Sequence, residues 1–214
     1  RLAKAHNCWS IEDCTHGFGG TENGVSNGSI CDASFFSTQW NKPFSTGLGG
    51  IVATKNKQIV SGLKSMENKL EVPSINQKIM LRSLVWIRAI MPNKWLIIAR
   101  RWYRKLSGVP FFVGSSSAEE LTDIRMPSHF LMRMTTFQMK KGIHALQAFK
   151  EIQELRKKNA RKYHKWLELN TKVRVPDELL DEHGCLLYPI LVTDKAKFQA
   201  LAEMQNIFIS DWFC

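Results

Sequence analysis

Two short segments near the start of the chain combine residue types that could carry chemistry. The first reads Glu12-Asp13-Cys14-Thr15-His16 and follows a short apolar run. A carboxylate at the C-terminal end of a parallel strand lies where open α/β sheets bind ligands. Such a carboxylate keeps a pyridine nitrogen protonated, and the protonated ring stabilises a carbanion. Asp13 is therefore a candidate binding residue with His16 nearby, although an acidic pair at a strand end is more often a solvated turn.

The second segment runs from Phe36 to Pro43 and is followed by a glycine-rich turn at residues 47–50. A hydroxyl such as that of Ser37, next to backbone N–H groups just after a strand, suits a phosphate. Lys42 could then reach an aldehyde held by that phosphate, once burial or a nearby cation favours loss of its proton. Taken alone, Lys42 is more often an ordinary surface lysine, and residues 47–50 are more often an ordinary turn.

Together the two segments match one family in order and spacing. That family has an E-D-x-x-Q/H motif, then an F-S-F-x-x-x-K segment, and then a G-E-G-G turn. The matching residues here are Glu12-Asp13-Cys14-Thr15-His16, Phe36-Ser37-Thr38-Gln39-Trp40-Asn41-Lys42 and Gly47-Leu48-Gly49-Gly50. The chain thus resembles the DegT/StrS-type (DegT/DnrJ/EryC/StrS) sugar aminotransferases, which have the aspartate aminotransferase fold, fold type I. Weaker similarity extends through residues 133–163 and 187–192.

The resemblance implies a pyridoxal 5'-phosphate cofactor and assigns roles to the matching residues. Asp13 would pair with the pyridine nitrogen, and His16 would lie near the ring and its 3-hydroxyl. Ser37 would hold the phosphate, and Lys42 would bind the cofactor aldehyde covalently. Gln39 matches a polar position that is often His in relatives, and we assign it to the cofactor site without a defined role.

The implied activity is transfer of an amino group, from glutamate by family analogy, to a nucleotide-linked keto-sugar by a homodimer. Family members without the lysine act as dehydratases, so Lys42 favours transamination. Two alternatives stay open. One is a dehydratase or lyase that uses the same cofactor. The other is a non-catalytic or regulatory relative, which two departures from the family pattern favour: Leu48 replaces the usual Glu, and Leu131 replaces an Asn.

The elements that must position these residues predict an α/β fold. Short apolar strands separated by loops or helices indicate a mainly parallel sheet, and the last third of the chain predicts a small C-terminal α+β domain. The resemblance implies that the sheet is part of a fold type I large domain. The predicted strands are residues 8–11, 33–36, 51–54 and 186–192, with a loop at 17–30. The predicted helices are 1–7, 57–70, 134–169 with a break near Lys150, and 195–204. The predicted divisions are 1–70 (cofactor-binding large domain), 71–133 (helical linker or insertion) and 134–214 (incomplete small domain).

The middle of the chain is basic and rich in tryptophan. Residues 72–118 contain no acidic residue, and Pro92 is expected to divide residues 80–106 into two helices. A buried helical pair whose Arg and Lys tips reach solvent is the favoured interpretation. The alternative is peripheral contact with an anionic membrane. In that case the indoles of Trp86, Trp95 and Trp102 would lie at the headgroup level.

The composition of the chain indicates whether it is ordered, what it binds and the redox environment of its cysteines. The 214 residues are 44% hydrophobic and 23% charged, which is ordinary for a globular protein and argues against disorder. The net charge of +11 is not accompanied by a nucleic-acid-binding motif. Five cysteines without a C-x-x-C pair predict free thiols in a reducing cytoplasm. The chain begins at Arg1 without an initiator Met and ends in an apolar run, so we expect an internal fragment. The family resemblance implies that about the first half of the large domain lies upstream.

Overall fold

A computed structural model describes residues 2–40, 42–91, 130–171, 186–205 and the single positions 180, 182, 184, 207 and 209. All structural statements refer to these residues. Their strands are β1 (Ile11–Asp13), β2 (Thr21–Glu22), β3 (Val25–Ser26), β4 (Ala33–Ser37) and β5 (Gly50–Thr54). Their helices are α1 (Leu2–Ala5), α2 (Lys57–Glu67), α3 (Ile75–Ile90), α4 (Thr136–Gln147), α5 (Phe149–Asn170) and α6 (Lys195–Met204).

The main sheet has the strand order β1-β4-β5 and is mixed rather than mainly parallel. β1 runs parallel to β4, with Asp13 opposite Phe35. β5 runs antiparallel to β4, with Ser37 opposite Gly50. The prediction of a mainly parallel sheet is therefore wrong for the described strands. The physical reason is the connection: residues 38–49 form a loop without a helical crossover, and a parallel partner requires such a crossover.

The predicted loop at residues 17–30 contains a small hairpin. β2 pairs antiparallel with β3, and Glu22 lies opposite Val25. The two residues between them, Asn23 and Gly24, have φ angles of 50° and 76°. Positive φ at both positions is what a type I′ hairpin turn needs, and Asn-Gly is its preferred sequence. The sequence therefore carried a hairpin signal that the loop assignment missed.

Helix starts follow local side-chain chemistry. Asn56 accepts hydrogen bonds from the amides of Gln58 and Ile59 and so caps α2. Ser74 and Gln77 form a reciprocal capping box at the start of α3. α3 ends at Ile90, just before the proline at position 92, as predicted. The second predicted helix of residues 80–106 lies outside the described residues.

The long helical pattern of residues 134–169 divides where a break was predicted. α4 ends at Gln147 and α5 begins at Phe149, so the break falls at Ala148, two residues from the predicted Lys150. Apolar residues spaced by three drift around a helix of 3.6 residues per turn. The break does not bury the whole pattern, since Ile143, Leu155 and Trp166 are 59%, 59% and 60% exposed.

An aromatic cluster joins the sheet to α5. The ring of Phe18 stacks on Phe44 at 5.3 Å between centroids. It also meets the edges of Phe36, on β4, and Phe149, on α5, at 5.4 and 4.6 Å. Offset and edge-to-face pairs of this kind add to the burial of apolar surface. The cluster therefore holds the loop after β4 between the sheet and the helices.

The described part of the C-terminal region is helical, without the predicted strand. Residues 186–192 are irregular, although α6 has the predicted bounds. Arg156 of α5 donates to the carbonyl of Leu186 at 3.1 Å, and Pro189 has no N–H to give to a ladder. An apolar run forms a strand only where a partner strand is available, and none lies beside it among the described residues. The division at residues 70 and 133 stays a prediction.

Most of the basic, tryptophan-rich segment lies outside the described residues, including Trp95 and Trp102. Trp86, on α3, is 65% exposed. No helix in the described part of the chain is long and apolar enough to cross a bilayer. Peripheral membrane contact by residues 80–106 and a cytoplasmic location therefore stay predictions.

A pair of glycine substitutions tests the hairpin turn. Gly24→Ala should lower the free energy of unfolding by about 1–2 kcal/mol, because an L side chain at φ 76° is strained even though the space around it is open. Gly62→Ala, in the exposed middle of α2, should raise it by about 0.5–1 kcal/mol. Urea unfolding followed by circular dichroism measures both. Equal effects of the two substitutions would contradict the turn.

Candidate active site

Lys42 lies in the connection between β4 and β5, which we call the lysine loop (residues 38–49). Only 8% of the lysine is exposed. Its backbone N–H donates to the carbonyl of Gln39 at 3.1 Å, so the chain turns tightly just before it. Burial lowers the pKa of the Lys42 amine, while the Asp13 carboxylate opposes that shift. A buried amine with a lowered pKa is a better nucleophile at neutral pH than a surface lysine.

Two buried threonines close the base of the lysine loop. The hydroxyls of Thr38 and Thr46 are hydrogen-bonded at 2.8 Å, and both residues are almost completely inaccessible to solvent. The Thr46 N–H donates to the Thr38 carbonyl at 3.0 Å, and the Thr38 N–H donates to the Gly49 carbonyl at 3.0 Å. These bonds tie the start of the loop to its end and leave Lys42 on the segment between them.

Gly47 allows the loop to pass under an indole ring. Its φ angle is +102°, a region that favours glycine. A methyl group added there would lie 2.9 Å from the ring of Trp40. Two constraints therefore favour glycine at position 47 of the predicted glycine-rich turn: its positive φ angle and the close approach of Trp40.

Asp13 is the last residue of β1, at the end of the strand where the sequence placed it. Its carboxylate accepts a hydrogen bond from the Thr15 N–H at 2.9 Å. Hydrogen bonds from the backbone and side chain of Thr15 lower the pKa of the carboxyl, and the charges of His16 and Lys42 lower it further. Asp13 is therefore ionised at neutral pH and lies within electrostatic reach of both.

His16 is half-buried and experiences both neighbouring charges. Burial lowers the pKa of its imidazole, and the charge of Lys42 lowers it further, whereas Asp13 raises it. Because the lowering effects prevail, the imidazole is mainly neutral at pH 7. The structure thus brings three of the predicted site residues together: Asp13, His16 and Lys42.

Ser37 and Gln39 flank the entrance to the lysine loop. Ser37 ends β4, is half-buried, and its hydroxyl accepts a long hydrogen bond of 3.4 Å from the Gln39 N–H. Gln39 forms an isolated bridge with Gly47 across the loop. Both residues therefore lie close to Lys42 along the backbone, and their assigned contacts with a cofactor stay predictions.

Glu12 and Asp13 have different surroundings although they are neighbours in sequence. Successive side chains of a strand point to opposite faces, so Glu12 lies away from Asp13. One Glu12 oxygen accepts the Gly28 N–H at 2.6 Å and the Cys14 thiol at 3.2 Å. Burial and Glu12 raise the pKa of Cys14 to about 12, so the thiol keeps its proton. Glu12 therefore stabilises the turn at Gly28. Its position next to Asp13 in the sequence did not indicate this structural role.

Three side chains from distant helices donate to carbonyls of the lysine loop, and sequence reasoning missed all of them. Arg88 of α3 donates to Trp40 at 3.0 Å. From α4, Lys141 donates to Ser45 at 3.0 Å and Gln138 donates to Leu48 at 2.8 Å. The Thr-x-x-Gln capping box that ends in Gln138 was readable from the sequence. Its contact with a loop 90 residues away was not.

The two departures from the family pattern have different surroundings. Leu48 is buried, and its carbonyl accepts both the Gln138 amide and the Thr46 hydroxyl. An apolar side chain suits that environment better than an unpaired carboxylate would. Leu131 is 38% exposed, and its carbonyl accepts the Glu71 N–H at 2.8 Å. Leu48 therefore contributes to the core of the lysine loop.

Comparison with known proteins supports the predicted relationship. The family model described as the DegT/DnrJ/EryC1/StrS aminotransferase family matches residues 1–79, which include Asp13, His16 and Lys42. The fold is similar to that of a solved structure, a DegT DnrJ EryC1 StrS aminotransferase from Brucella abortus, with a TM-score of 0.60 and 17% identity. The similarity covers 96% of this chain and 42% of that one.

Curated relatives are similar mainly over the site region. A UDP-4-amino-4,6-dideoxy-N-acetyl-beta-L-altrosamine transaminase of Campylobacter jejuni is 37% identical over 67 residues, 31% of this chain and 18% of that protein. A GDP-perosamine synthase of Escherichia coli O157:H7 is 43% identical over 58 residues, 27% of this chain and 16% of that protein. An uncharacterized protein of Methanocaldococcus jannaschii is 22% identical over all of this chain and 48% of its own length. The chain thus spans less than half the length of these relatives.

Removing the buried amine should stabilise the cofactor-free protein. Lys42→Met is expected to raise the free energy of unfolding at pH 7, because the charged amine is desolvated only in the folded state. The lowered pKa means that the unfolded chain holds this proton more tightly. The gain is therefore full below the folded pKa and disappears as the pH rises through the unfolded value of about 10.4.

Urea unfolding between pH 7 and pH 11 measures this gain. Lys64→Met on exposed α2 serves as the control and should change stability by no more than about 0.5 kcal/mol. A destabilised Lys42→Met protein would show that the lysine is stabilised by its surroundings.

Proposed function

We propose that this chain, whose residues 1–79 match the DegT/DnrJ/EryC1/StrS aminotransferase family model, belongs to that family and takes part in pyridoxal-phosphate-dependent amination of a nucleotide-linked keto-sugar. The observation that carries this proposal is the buried Lys42 amine beside Asp13 and His16. The printed names of two relatives, one a UDP-sugar transaminase and one a GDP-perosamine synthase, support the substrate class.

The residues present fit pyridoxal phosphate. When bound, this cofactor supplies an aldehyde that reacts with amines and a pyridine ring that withdraws electrons. The Lys42 amine, with its lowered pKa, has the chemistry to hold the aldehyde. The Asp13 carboxylate stays ionised and suits a protonated pyridine nitrogen. Ser37 offers a hydroxyl at the end of a strand, which suits the phosphate, and His16 would lie near the ring.

In a transamination, Lys42 and Asp13 would have separate roles. Lys42 holds the site until an amino donor displaces it. With the cofactor bound, the freed Nζ atom of Lys42 would take the proton from the substrate carbon and hold it for return, acting as a general base and then as a general acid. Asp13 keeps its negative charge throughout because hydrogen bonds from Thr15 stabilise it.

The finer parts of the proposal follow the family analogy. Glutamate is the proposed amino donor, and a homodimer is the proposed assembly. Segments present in the relatives beyond the matched region would complete the pocket. Two alternatives use the same residues differently: a dehydratase or lyase, and a non-catalytic relative, which the departures at Leu48 and Leu131 favour. Product analysis with a glutamate donor separates the first from transamination, and cofactor binding separates the second.

Replacing Lys42 tests covalent attachment. In the intact protein mixed with pyridoxal phosphate, Lys42→Arg should abolish the absorbance of the attached cofactor at the edge of the visible range, because a guanidinium does not react with the aldehyde. Borohydride reduction followed by mass spectrometry of peptides should place the label on Lys42 in the parent protein. Lys64→Arg, on exposed α2, should retain both signals. A label that persists elsewhere in the Lys42→Arg protein would refute the assignment.

Replacing Asp13 tests the role of its charge. Asp13→Asn keeps the size of the side chain and an acceptor for the Thr15 N–H, but it removes the charge that holds a proton on the pyridine nitrogen. Amino transfer should fall by a factor of about 100 or more, a range typical of a lost transition-state interaction. Cofactor attachment to Lys42 should persist. Glu22→Gln, on the hairpin, is the charge-matched control, and an Asp13→Asn protein with unchanged kcat would eliminate this role.

A further inference from the structure

Gln138 is a buried amide whose orientation is fixed by its contacts. It lies on α4 and is 5% exposed. Its Oε1 atom accepts the Thr135 N–H at 2.9 Å and the Thr135 hydroxyl at 3.0 Å. Its Nε2 atom donates to the carbonyl of Leu48 at 2.8 Å. Since both lone pairs of the oxygen are occupied, the amide cannot rotate without leaving buried groups unsatisfied.

A continuous chain of hydrogen bonds leads from Gln138 to the base of the lysine loop. The Leu48 carbonyl also accepts the Thr46 hydroxyl at 3.1 Å. The Thr46 hydroxyl in turn pairs with that of Thr38 at 2.8 Å. Lys42 lies on the segment between these two threonines. Any shift of Leu48 would therefore be transmitted to both ends of the segment that holds Lys42.

The same face of α4 contacts the loop at two more points. Lys141 donates to the Ser45 carbonyl at 3.0 Å. A methyl group added at Gly142 would lie 3.1 Å from Thr46 Cγ2 and 3.5 Å from the ring of Phe44. Residues three and four positions after Gln138 share its face of the helix. α4 thus forms a continuous support for the loop, and the missing side chain at Gly142 allows the close approach.

We propose that Gln138 is a positioning residue: its amide fixes the carbonyl of Leu48 and thereby keeps the Lys42 side chain buried beside Asp13 and His16. The meaning of this position for catalysis rests on the proposed function. The geometric claim does not, because it concerns the environment of Lys42 in the cofactor-free protein. A lysine loop released from α4 would admit water to the amine, and the lysine would then behave like one on the surface.

The test compares two substitutions that both damage the capping box of α4. Gln138→Met keeps the length of the side chain but removes the bond to Leu48 together with the Gln138 half of the capping box. Thr135→Val removes the capping hydroxyl and leaves the Gln138–Leu48 bond available. Both should lower stability, since each removes part of the capping box of α4. Only Gln138→Met should alter the lysine loop.

Two measurements on the intact, cofactor-free protein give the result. The first is the pH dependence of reductive methylation at Lys42, followed by peptide mass spectrometry with exposed Lys64 as internal reference. The Lys42 midpoint should be the same in the parent and Thr135→Val proteins and should rise in Gln138→Met. The second is hydrogen exchange of the Thr38 and Thr46 amides, which should accelerate at least tenfold in Gln138→Met alone.

The outcomes separate this proposal from the proposed function. An unchanged midpoint and unchanged exchange in a folded Gln138→Met protein would overturn the positioning role, whatever the cofactor does. Equal changes in Thr135→Val would overturn it too, because the effect would then belong to the helix cap. Failure of pyridoxal phosphate to bind the parent protein would refute the function and leave the geometric result standing.

If Gln138→Met does not fold, Lys141→Met decides the question. It removes one loop contact from the same helix face, and the Lys141 charge is not among the influences on the pKa of Lys42. A faster exchange of the Thr46 amide and a raised Lys42 midpoint would support positioning by α4. A folded Lys141→Met protein with parental values for both would overturn it.

Discussion

The hydrogen bond between the Thr38 and Thr46 hydroxyls is the contact on which the candidate site depends. A loop between antiparallel strands normally lies on the surface, where water satisfies its backbone. This loop instead carries a buried lysine, so its polar groups must be satisfied internally. The threonine pair closes the loop at its base. Three carbonyls of the loop accept hydrogen bonds from the side chains of Arg88, Gln138 and Lys141. The burial of Lys42 follows from a loop held at both ends.

The three central side chains acquire different protonation states from one small region. Burial favours the neutral forms of Lys42 and His16, while local hydrogen bonds keep Asp13 ionised. Environments that push the pKa values of neighbouring titratable groups apart are typical of sites that exchange protons. The mixed sheet makes this possible, because the parallel pair brings the end of β1 beside the end of β4, and the antiparallel return of β5 anchors the loop between them.

Sequence reasoning succeeded where the determinants were local. The motif spacing grouped Asp13, His16 and Lys42, which lie within electrostatic reach of one another, although their roles stay predictions. Periodicity predicted the helices and the break near Ala148. Sequence reasoning failed where the determinants were distant or conformational. The direction of β5 depends on how residues 38–49 fold back, and the missing strand at residues 186–192 depends on whether a neighbour exists to pair with it. The contact between Gln138 and Leu48 joins parts of the chain that no short pattern connects.

Leu48 and Gln138 are 90 positions apart in the sequence, so the ribosome adds Gln138 well after the lysine loop. Ribosomes add about 5–20 residues per second, so roughly 5 to 20 s separate the two halves of this contact. During that interval the nascent chain already carries the strands and Lys42, but it lacks the helix that seals the loop. If α4 holds the lysine loop as proposed, Lys42 stays solvated and protonated, and so weakly nucleophilic, until that helix has been synthesised.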